Sequence, residues 1–130
     1  DSEPSMVLKK IKKIAEGKGL PIAIAVAGAV EKGVIKDNPN LPNWAFINLK
    51  SYFEEALVEN DANAAAYGEW FWRERSAEVL VCITIGTGVG SGVIINKRIY
   101  RGRGAASELG HMVIDYKGNP CRCGNIGCFE

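Results

Sequence analysis

One histidine and three cysteines lie within 18 residues near the end of the chain, and this cluster constrains the fold more than any other feature. His111 is followed by Cys121, Cys123 and Cys128, and the cysteines stand on a glycine-rich stretch that can wrap around an ion. Thiolate and imidazole groups are the ligands that Zn²⁺ prefers, and structural zinc sites use four of them. The spacing therefore predicts a tetrahedral structural zinc site with no open position for a reactive water.

Two alternatives to a zinc site stay open at this point. A disulfide would use two of the three clustered cysteines, leaving one unpaired and the nearby histidine without a role. Free thiols are the other alternative. The fourth cysteine, Cys82, lies in the apolar run from Val79 to Ile85, where a small buried thiol without a chemical role is expected.

Composition narrows the class of partner. With 130 residues, 47% of them hydrophobic and 24% charged, the chain has the size and composition of one globular domain. Sixteen basic residues against fifteen acidic ones leave a net charge of +1, so nothing electrostatic favours a nucleic acid, and a small-molecule ligand is expected. No apolar run reaches the roughly 18 residues of a membrane span and no signal-peptide pattern is present, which predicts a cytoplasmic protein without membrane contact.

Hydrophobic periodicity predicts helices alternating with strands. Residues 1–16 have the spacing of an amphipathic surface helix, which Gly17 and Gly19 end, and residues 21–27 have the continuous apolar pattern of a central strand buried on both faces. The later elements are expected to be a loop at 31–47, helices at 49–57 and 62–75, and strands at 57–58, 79–85, 92–96 and 98–101. This order favours the α/β class.

Three segments resemble the ROK family, which comprises bacterial and archaeal sugar kinases and sugar-responsive repressors. They are Val58–Glu69 (VENDANAAAYGE), Ile85–Gly92 (IGTGVGSG) and the stretch from Glu108 to Glu130 that contains ELGHM and CRCGNIGCFE. The resemblance runs from about Ile22 to Glu130. It is specific, because the three segments occur in the family's order and at close to its spacing.

The resemblance implies an actin-like kinase fold built from two ribonuclease-H-like lobes. Residues 1–76 would belong to the N-terminal α/β lobe, and residues 77–130 would begin the C-terminal lobe with a β-meander and the zinc motif. Family kinases also have an Asp-x-Gly-Gly-Thr phosphate loop, which is not found here, and they continue beyond the cysteine motif. The chain is therefore interpreted as a truncated portion of a longer protein that is inactive by itself. It is also shorter than the family between Leu49 and Asn60.

The reaction that the resemblance implies is phosphorylation of the 6-hydroxyl of a hexose or N-acetylhexosamine by ATP and Mg²⁺, with the particular sugar left open. Asp61 would be the catalytic base, although without the resemblance it is better interpreted as a cap of the helix that follows it. The sugar ligands would be Asn40, Asn60, Asp61, Glu108, His111 and Glu130. His111 would hold zinc with one ring nitrogen and face the sugar with the other.

A second phosphate loop is implied at the glycine-rich segment. In it Gly86, Thr87 and Gly88 would lie nearest the β- and γ-phosphates of ATP. From the residues alone, a hairpin turn that needs positive φ angles accounts equally well for the glycines between 86 and 92.

Two other functions stay open. The first is the sensor domain of a ROK transcriptional repressor, which would contact nucleic acid only if the whole protein carries a helix-turn-helix. The second is a zinc-stabilised sugar-binding module without catalysis. The retained Asp61 and the Gly-Thr-Gly turn favour a kinase, and the resemblance implies a homo-oligomer.

Overall fold

The computed structural model describes residues 3–38, 41–103 and 106–130, which form two compact units. The first unit ends at Asn60 and the second begins at Asp61. This division falls earlier than the boundary predicted near Ser76, because the helix that follows Asn60 packs on the strands after it. The assignment of residues 1–76 and 77–130 to two lobes of a larger protein stays a prediction.

The first unit contains one helix and two small sheets. Its elements are α1 (Pro4–Ala15), β1 (Ala23–Val26), β2 (Ala29–Glu31), β3 (Val34–Asp37), single 3₁₀ turns at Pro42–Trp44 and Leu49–Ser51, and β4 (Leu57–Asn60). β1 and β4 run parallel with Val26 opposite Asn60, whereas β2 and β3 form an antiparallel hairpin. Parallel strands joined by a crossover are typical of α/β proteins, so the predicted class agrees with this unit.

The predicted N-terminal helix is confirmed as α1. Pro4 stands at its first position, where its fixed φ suits a helix start and its missing N–H is not needed. Leu8 faces the interior and is 2% exposed, while the lysines between the apolar positions are exposed. Gly17 then adopts a φ of 78°, which ends the helical path.

Two local predictions in this unit were wrong. The segment 31–47 is not all loop, because a two-residue turn at Lys32 and Gly33, with φ angles of 50° and 84°, joins β2 to β3. The helix expected at 49–57 is a single 3₁₀ turn at Leu49–Ser51, started by the Asn48 side chain, which accepts the Lys50 N–H at 3.0 Å. Apolar residues at helical spacing were buried here without a continuous helix.

The core of the first unit is small and apolar. It consists of the buried side chains Leu8, Ile35, Leu49, Phe53 and Ala56. Burial of a large apolar side chain contributes about 1.5–3 kcal/mol to folding, so these few residues provide much of the unit's stability. The expectation that β1 is buried on both faces was wrong for the described residues, because Ala23 and Ala25 are exposed.

The second unit is a helix on an antiparallel meander. Its elements are α2 (Asp61–Trp72), β5 (Val79–Ile85), β6 (Val89–Ile95), β7 (Arg98–Ile99) and a 3₁₀ turn at Leu109–His111. The predicted three-stranded meander is confirmed, with β6 in the middle. β6 begins at Val89 rather than at Gly92, and α2 ends before Glu74 and Arg75, whose φ angles are positive.

The two faces of this sheet are covered unequally. Ala62, Ala66 and Trp70, at four-residue spacing on α2, are buried against the sheet. On the opposite face, a row of β5 side chains is more than half exposed, namely Val79, Val81, Ile83 and Ile85. Within the described ranges, no helix has the length and apolar character that crossing a bilayer requires.

Replacement of Gly92 by alanine should destabilise the full-length protein. A Cβ at Gly92 would lie 2.6 Å from the Ala62 carbonyl oxygen and 2.7 Å from the Ala66 Cβ, so α2 would have to move away from β6. We expect a loss of about 1–3 kcal/mol in the free energy of unfolding, measured by urea titration.

Gly68→Ala is the matched control on the same helix. A Cβ at Gly68 meets nothing within 4 Å, and alanine is favoured over glycine inside a helix by up to about 1 kcal/mol. This variant should therefore be unchanged or more stable. Equal stability of the two variants would contradict the close packing of α2 on β6.

Candidate functional site

A three-residue turn joins β5 to β6 at one end of the sheet. The turn is Gly86–Gly88, and the Gly86 N–H donates to the Gly88 carbonyl oxygen at 2.9 Å. The predicted glycine-rich turn was too long, because Gly90 and Gly92 lie within β6, where they leave room for α2. Only the first part of the motif is thus bare loop backbone of the kind that can approach phosphate oxygens.

Glu130 links this turn to the 3₁₀ turn at Leu109–His111. Its Oε2 accepts the backbone N–H of Val89 at 3.0 Å, and its own N–H donates to the Gly110 carbonyl oxygen at 2.9 Å. A Cβ at Gly88 would overlap the Glu130 carboxylate. At least one oxygen of this predicted sugar ligand is therefore engaged by the backbone next to the predicted phosphate loop.

Glu108 lies within electrostatic range of three other predicted site residues. Desolvation raises the pKa of the Glu108 carboxyl above its ordinary value, although the residue as a whole is exposed. His111 opposes this rise, whereas the negative charges of Asp61 and Glu130 add to it. The second unit thus brings together Asp61, Glu108, His111 and Glu130.

Asp61 occupies the first position of α2. Its Oδ1 accepts the Ala62 N–H at 2.9 Å, and its side chain is exposed. The N-terminus of a helix favours a negative charge. The interpretation of Asp61 as a residue that stabilises the helix start agrees with this contact and is compatible with a chemical role for the same carboxylate.

The remaining predicted sugar ligands belong to the first unit. Asn60 is the last residue of β4, and its amide donates to the Gly28 carbonyl oxygen at 3.1 Å. The buried Asn38 similarly donates to the Ala27 carbonyl oxygen at 3.0 Å. Asn40, which was also predicted to be a sugar ligand, lies outside the described residues.

The four predicted metal ligands form a cluster. The ligand atoms of His111, Cys121, Cys123 and Cys128 all lie within 4.8 Å of one another. His111 Nδ1 is 3.6 Å from Cys121 Sγ, and the Sγ atoms of Cys123 and Cys128 are also 3.6 Å apart. All four cysteines of the chain are free thiols here, so the disulfide alternative is not supported.

These separations fit a tetrahedral zinc ion. Bonds of about 2.3 Å to sulfur and about 2.0–2.1 Å to nitrogen give tetrahedral edges of about 3.8 Å between sulfurs and about 3.6 Å between sulfur and nitrogen. Two of the six ligand-atom separations are 3.6 Å and match these edges, and all six are within 4.8 Å. Because Nδ1 of His111 faces the cysteines, the Nε2 edge of the same ring remains for another partner.

Short backbone contacts shape the cysteine segment. The Gly124 N–H donates to the Cys121 carbonyl oxygen at 3.0 Å, and the φ angle of Gly124 is 92°, which closes a tight turn. The Phe129 N–H donates to the Met112 carbonyl oxygen at 2.9 Å. The cysteine segment therefore returns alongside the residues that flank His111.

The thiols differ in acidity in the metal-free protein. The backbone N–H of Asn125 stabilises the Cys123 thiolate and lowers the pKa of Cys123. Desolvation and the neighbouring thiols raise the pKa of Cys128 to about 12. A bound Zn²⁺ would deprotonate both groups, since thiolates are the coordinating form.

Comparisons with known proteins identify the family. The sequence model of the ROK family matches residues 5–130. The chain belongs to the ROK family. The xylose repressor of Bacillus subtilis is 44% identical over an alignment of 117 positions that covers 84% of this chain and 30% of the repressor. The glucokinase of Thermotoga maritima is 35% identical over an alignment of 134 positions that covers 95% of this chain and 42% of that enzyme.

A solved structure gives the fold of this ROK chain. The ROK family glucokinase from Streptomyces griseus, in complex with glucose and AMPPNP, matches 98% of this chain with a TM-score of 0.79 and 33% identity, and the match covers 45% of the glucokinase. The predicted actin-like, ribonuclease-H-like sugar kinase fold is thereby confirmed. The chain spans 30–45% of the length of these three relatives.

Sequence reasoning overlooked two residues that shape the site. Gly110 lies so close to Val89 that a Cβ would overlap the Val89 carbonyl oxygen. Ser91 is buried in β6 and bonds to the segment that carries Glu108. Gly110 is a single glycine next to His111, and Ser91 lies between two glycines. Neither position belongs to a periodic pattern or a motif spacing that predicts these contacts.

Cys123→Ser should remove the zinc from the full-length protein. The hydroxyl is a poor replacement for a thiolate, and three ligands do not complete a structural site. We expect one zinc per chain in the wild type and a large loss in the variant, measured by inductively coupled plasma mass spectrometry. Cys82→Ser is the control, because Cys82 lies in β5 away from the cluster. Zinc retained by Cys123→Ser would remove Cys123 from the ligand set.

Zinc affinity should also rise with pH. At neutral pH the Cys128 thiol, with its pKa raised to about 12, carries a proton that coordination displaces. Each displaced proton strengthens apparent binding about ten-fold per pH unit below the thiol's pKa. Competition with a chromophoric chelator between about pH 6.5 and pH 8.5 measures this slope. A pH-independent affinity would contradict the loss of a thiol proton on coordination.

Proposed function

We propose that this ROK chain is part of an ATP- and Mg²⁺-dependent kinase that phosphorylates the 6-hydroxyl of a hexose or N-acetylhexosamine. The observation that carries the proposal is the grouping of Asp61, Glu108, His111 and Glu130 in one unit, with Glu130 packed against the turn Gly86–Gly88. Acceptors for sugar hydroxyls and a bare backbone turn for phosphates are the two parts that such a transfer needs. Similarity to ROK glucokinases supports the same reaction class.

Each group has a distinct role in the proposed reaction. Glu108, the Nε2 edge of His111 and Glu130 would bind the hydroxyls at the 1- and 2-positions, and Asn60 would bind the 4-hydroxyl. A site built to hydrogen-bond hydroxyls discriminates strongly against analogues that lack them. Asn40 and Asn60 remain proposed ligands from the first unit.

Asp61 would accept the proton in the transfer step. As the sugar O6 attacks the γ-phosphorus, the bond from that phosphorus to the β–γ bridging oxygen breaks, and ADP leaves. The O6 proton passes to the Asp61 carboxylate. Thr87 and the backbone of Gly88 would contact the β- and γ-phosphates, and Mg²⁺ arriving with ATP would neutralise their charge.

Zinc would have an indirect role. His111, Cys121, Cys123 and Cys128 would hold the ion, and four protein ligands leave no position for substrate. Coordination through Nδ1 would orient the His111 ring so that Nε2 faces the sugar. The metal thus acts through the position of one side chain.

A repressor is the second candidate, favoured by one specific observation. The xylose repressor of Bacillus subtilis is 44% identical to this chain, a higher identity than that of the glucokinase from Thermotoga maritima. In that case the same residues would bind a sugar, and this binding would regulate a DNA-binding segment elsewhere in the protein. For either function we propose a cytoplasmic homo-oligomer.

ADP release by the full-length protein separates the two candidates. The assay would contain ATP, Mg²⁺ and in turn xylose, hexoses and N-acetylhexosamines. Turnover on one sugar is the result that the kinase proposal expects. Sugar binding by calorimetry without ADP release would overturn it in favour of the repressor.

Asp61→Asn should abolish turnover and preserve sugar binding. The amide keeps the Oδ1 acceptor that bonds the Ala62 N–H, but it cannot accept a proton from the sugar. General-base catalysis contributes about 10²–10⁴-fold to rate, so we expect a fall in kcat of this size with a sugar Kd within about three-fold of wild type.

Glu69→Gln is the matched carboxylate-to-amide control on the same helix. Glu69 forms a surface ion pair with Arg73, with 2.6 Å between Oε1 and Nε, and should not alter kcat. Near-normal turnover of Asp61→Asn would show that another group is the base.

A further inference from the structure

A buried serine in β6 contacts the segment that carries Glu108. Ser91 is 7% exposed, and its hydroxyl donates to the Ser107 carbonyl oxygen. The same Oγ accepts the Leu109 N–H at 3.0 Å. One side chain therefore bonds the backbone on both sides of Glu108.

The alternation of β6 accounts for the direction of Ser91. Successive side chains of a strand point to opposite faces. Gly90 and Gly92 lie on the face that meets α2, where a Cβ would approach Ala62 within 3.3 Å or less. Ser91 consequently points to the other face, toward residues 107–109.

Two further contacts join the same elements. A Cβ at Gly110 would overlap the Val89 carbonyl oxygen, so the 3₁₀ turn lies directly on the start of β6. Glu130 bonds both the Val89 N–H and the Gly110 carbonyl oxygen. Ser91 is thus the side-chain part of a close junction between the turn Gly86–Gly88 and the residues Glu108 to His111.

We propose that Ser91 is a positioning residue, which holds Glu108 in place for the sugar by tying β6 to the Ser107–Leu109 backbone. The proposal rests on the kinase or sugar-sensor function argued above, since it assigns Glu108 to the 1- and 2-hydroxyls. The Ser107 carbonyl and the Leu109 N–H are half-buried and also bond each other at 2.8 Å. Loss of the Ser91 hydroxyl therefore removes the side-chain tie between this segment and β6, and a hydrogen bond lost from a half-buried site costs more than an exposed one. The segment then shifts, and Glu108 moves with it.

A structural role alone would have a different result. If Ser91 only stabilised the fold, its replacement would lower the melting temperature and would weaken the binding of every sugar and of ATP to the same extent. A positioning role is selective, because only contacts made through Glu108 change. The useful comparison is therefore between glucose and 2-deoxyglucose, which lacks one hydroxyl assigned to this side of the site.

The test uses Ser91→Ala in the full-length protein, with Ser91→Thr to retain the hydroxyl. Ser107→Ala is the matched control, because the exposed Ser107 hydroxyl donates to the Tyr100 carbonyl oxygen at 3.3 Å and not to β6. Hydrogen exchange of residues 106–112 reports the junction without any substrate. Calorimetry reports the Kd for glucose and for 2-deoxyglucose.

For Ser91→Ala we expect faster exchange in residues 106–112 and a glucose Kd raised about ten-fold, equivalent to about 1.4 kcal/mol. The Kd for 2-deoxyglucose should rise by a clearly smaller factor, since that sugar has lost one of the two hydroxyls assigned to Glu108. Ser91→Thr should recover part of the glucose affinity, and Ser107→Ala should resemble the wild type. In a protein that already carries Glu108→Gln, Ser91→Ala should raise the glucose Kd little further, because both changes act on the same contact.

Two outcomes would overturn the proposal. Normal exchange and normal glucose affinity in Ser91→Ala would show that the hydroxyl does not hold the segment. Equal weakening of glucose and 2-deoxyglucose would show a general structural role. If the wild type itself bound no sugar of the panel, the proposed function would fail. This failure is distinguishable from failure of the Ser91 proposal, because it is seen in the wild type before any variant is measured.

Discussion

The pairing of two short backbone segments in the second unit is the constraint on which the candidate site depends. Glu130 and Phe129 donate to the carbonyl oxygens of Gly110 and Met112 at 2.9 Å each. Such hydrogen bonds make a net contribution of only about 1 kcal/mol apiece, which is too little to hold irregular, exposed chain in one geometry. Structural zinc contributes about 10–16 kcal/mol in small peptides. Because His111 and Cys128 lie within the paired segments, an ion bound there would stabilise them more than their hydrogen bonds do, and it would fix Glu130 as well as His111.

Strand β6 lies between two parts of the candidate site. On one face, the absence of side chains at Gly90 and Gly92 lets α2 approach and sets the position of Asp61. On the other face, Ser91 holds the residues around Glu108. The glycines of this segment thus have two purposes: those at the turn leave backbone accessible, and those in the strand set the distance between a helix and a sheet. The proposed base Asp61 and the proposed sugar ligand Glu108 are thus positioned relative to the same seven residues.

The sequence was sufficient to predict those elements that are determined by residues close together in the chain. The lysine-interrupted apolar spacing of α1 and the apolar run of β5 were sufficient to predict those elements, and ligand spacing was sufficient to predict that His111 and the three cysteines lie together. The β2–β3 hairpin was missed because Lys32 is an unusual residue at positive φ, and the helix expected at 49–57 failed because burial of Leu49, Phe53 and Ala56 needed only one turn. Contacts such as those of Ser91 depend on tertiary approach, which a single sequence does not encode as a period.

The exposed row of β5 has a consequence for the stiffness of the turn Gly86–Gly88. The row Val79, Val81, Ile83 and Ile85 ends immediately before Gly86, on a strand that is also the edge of the described three-stranded sheet. An apolar row and an open edge of this kind are normally covered by further polypeptide. Any layer that covers the row also braces the last residue before the turn. The rigidity of that turn therefore depends on neighbouring packing as well as on the hydrogen bond from the Gly86 N–H to the Gly88 carbonyl oxygen, so mutations in a remote covering layer can alter how the turn moves.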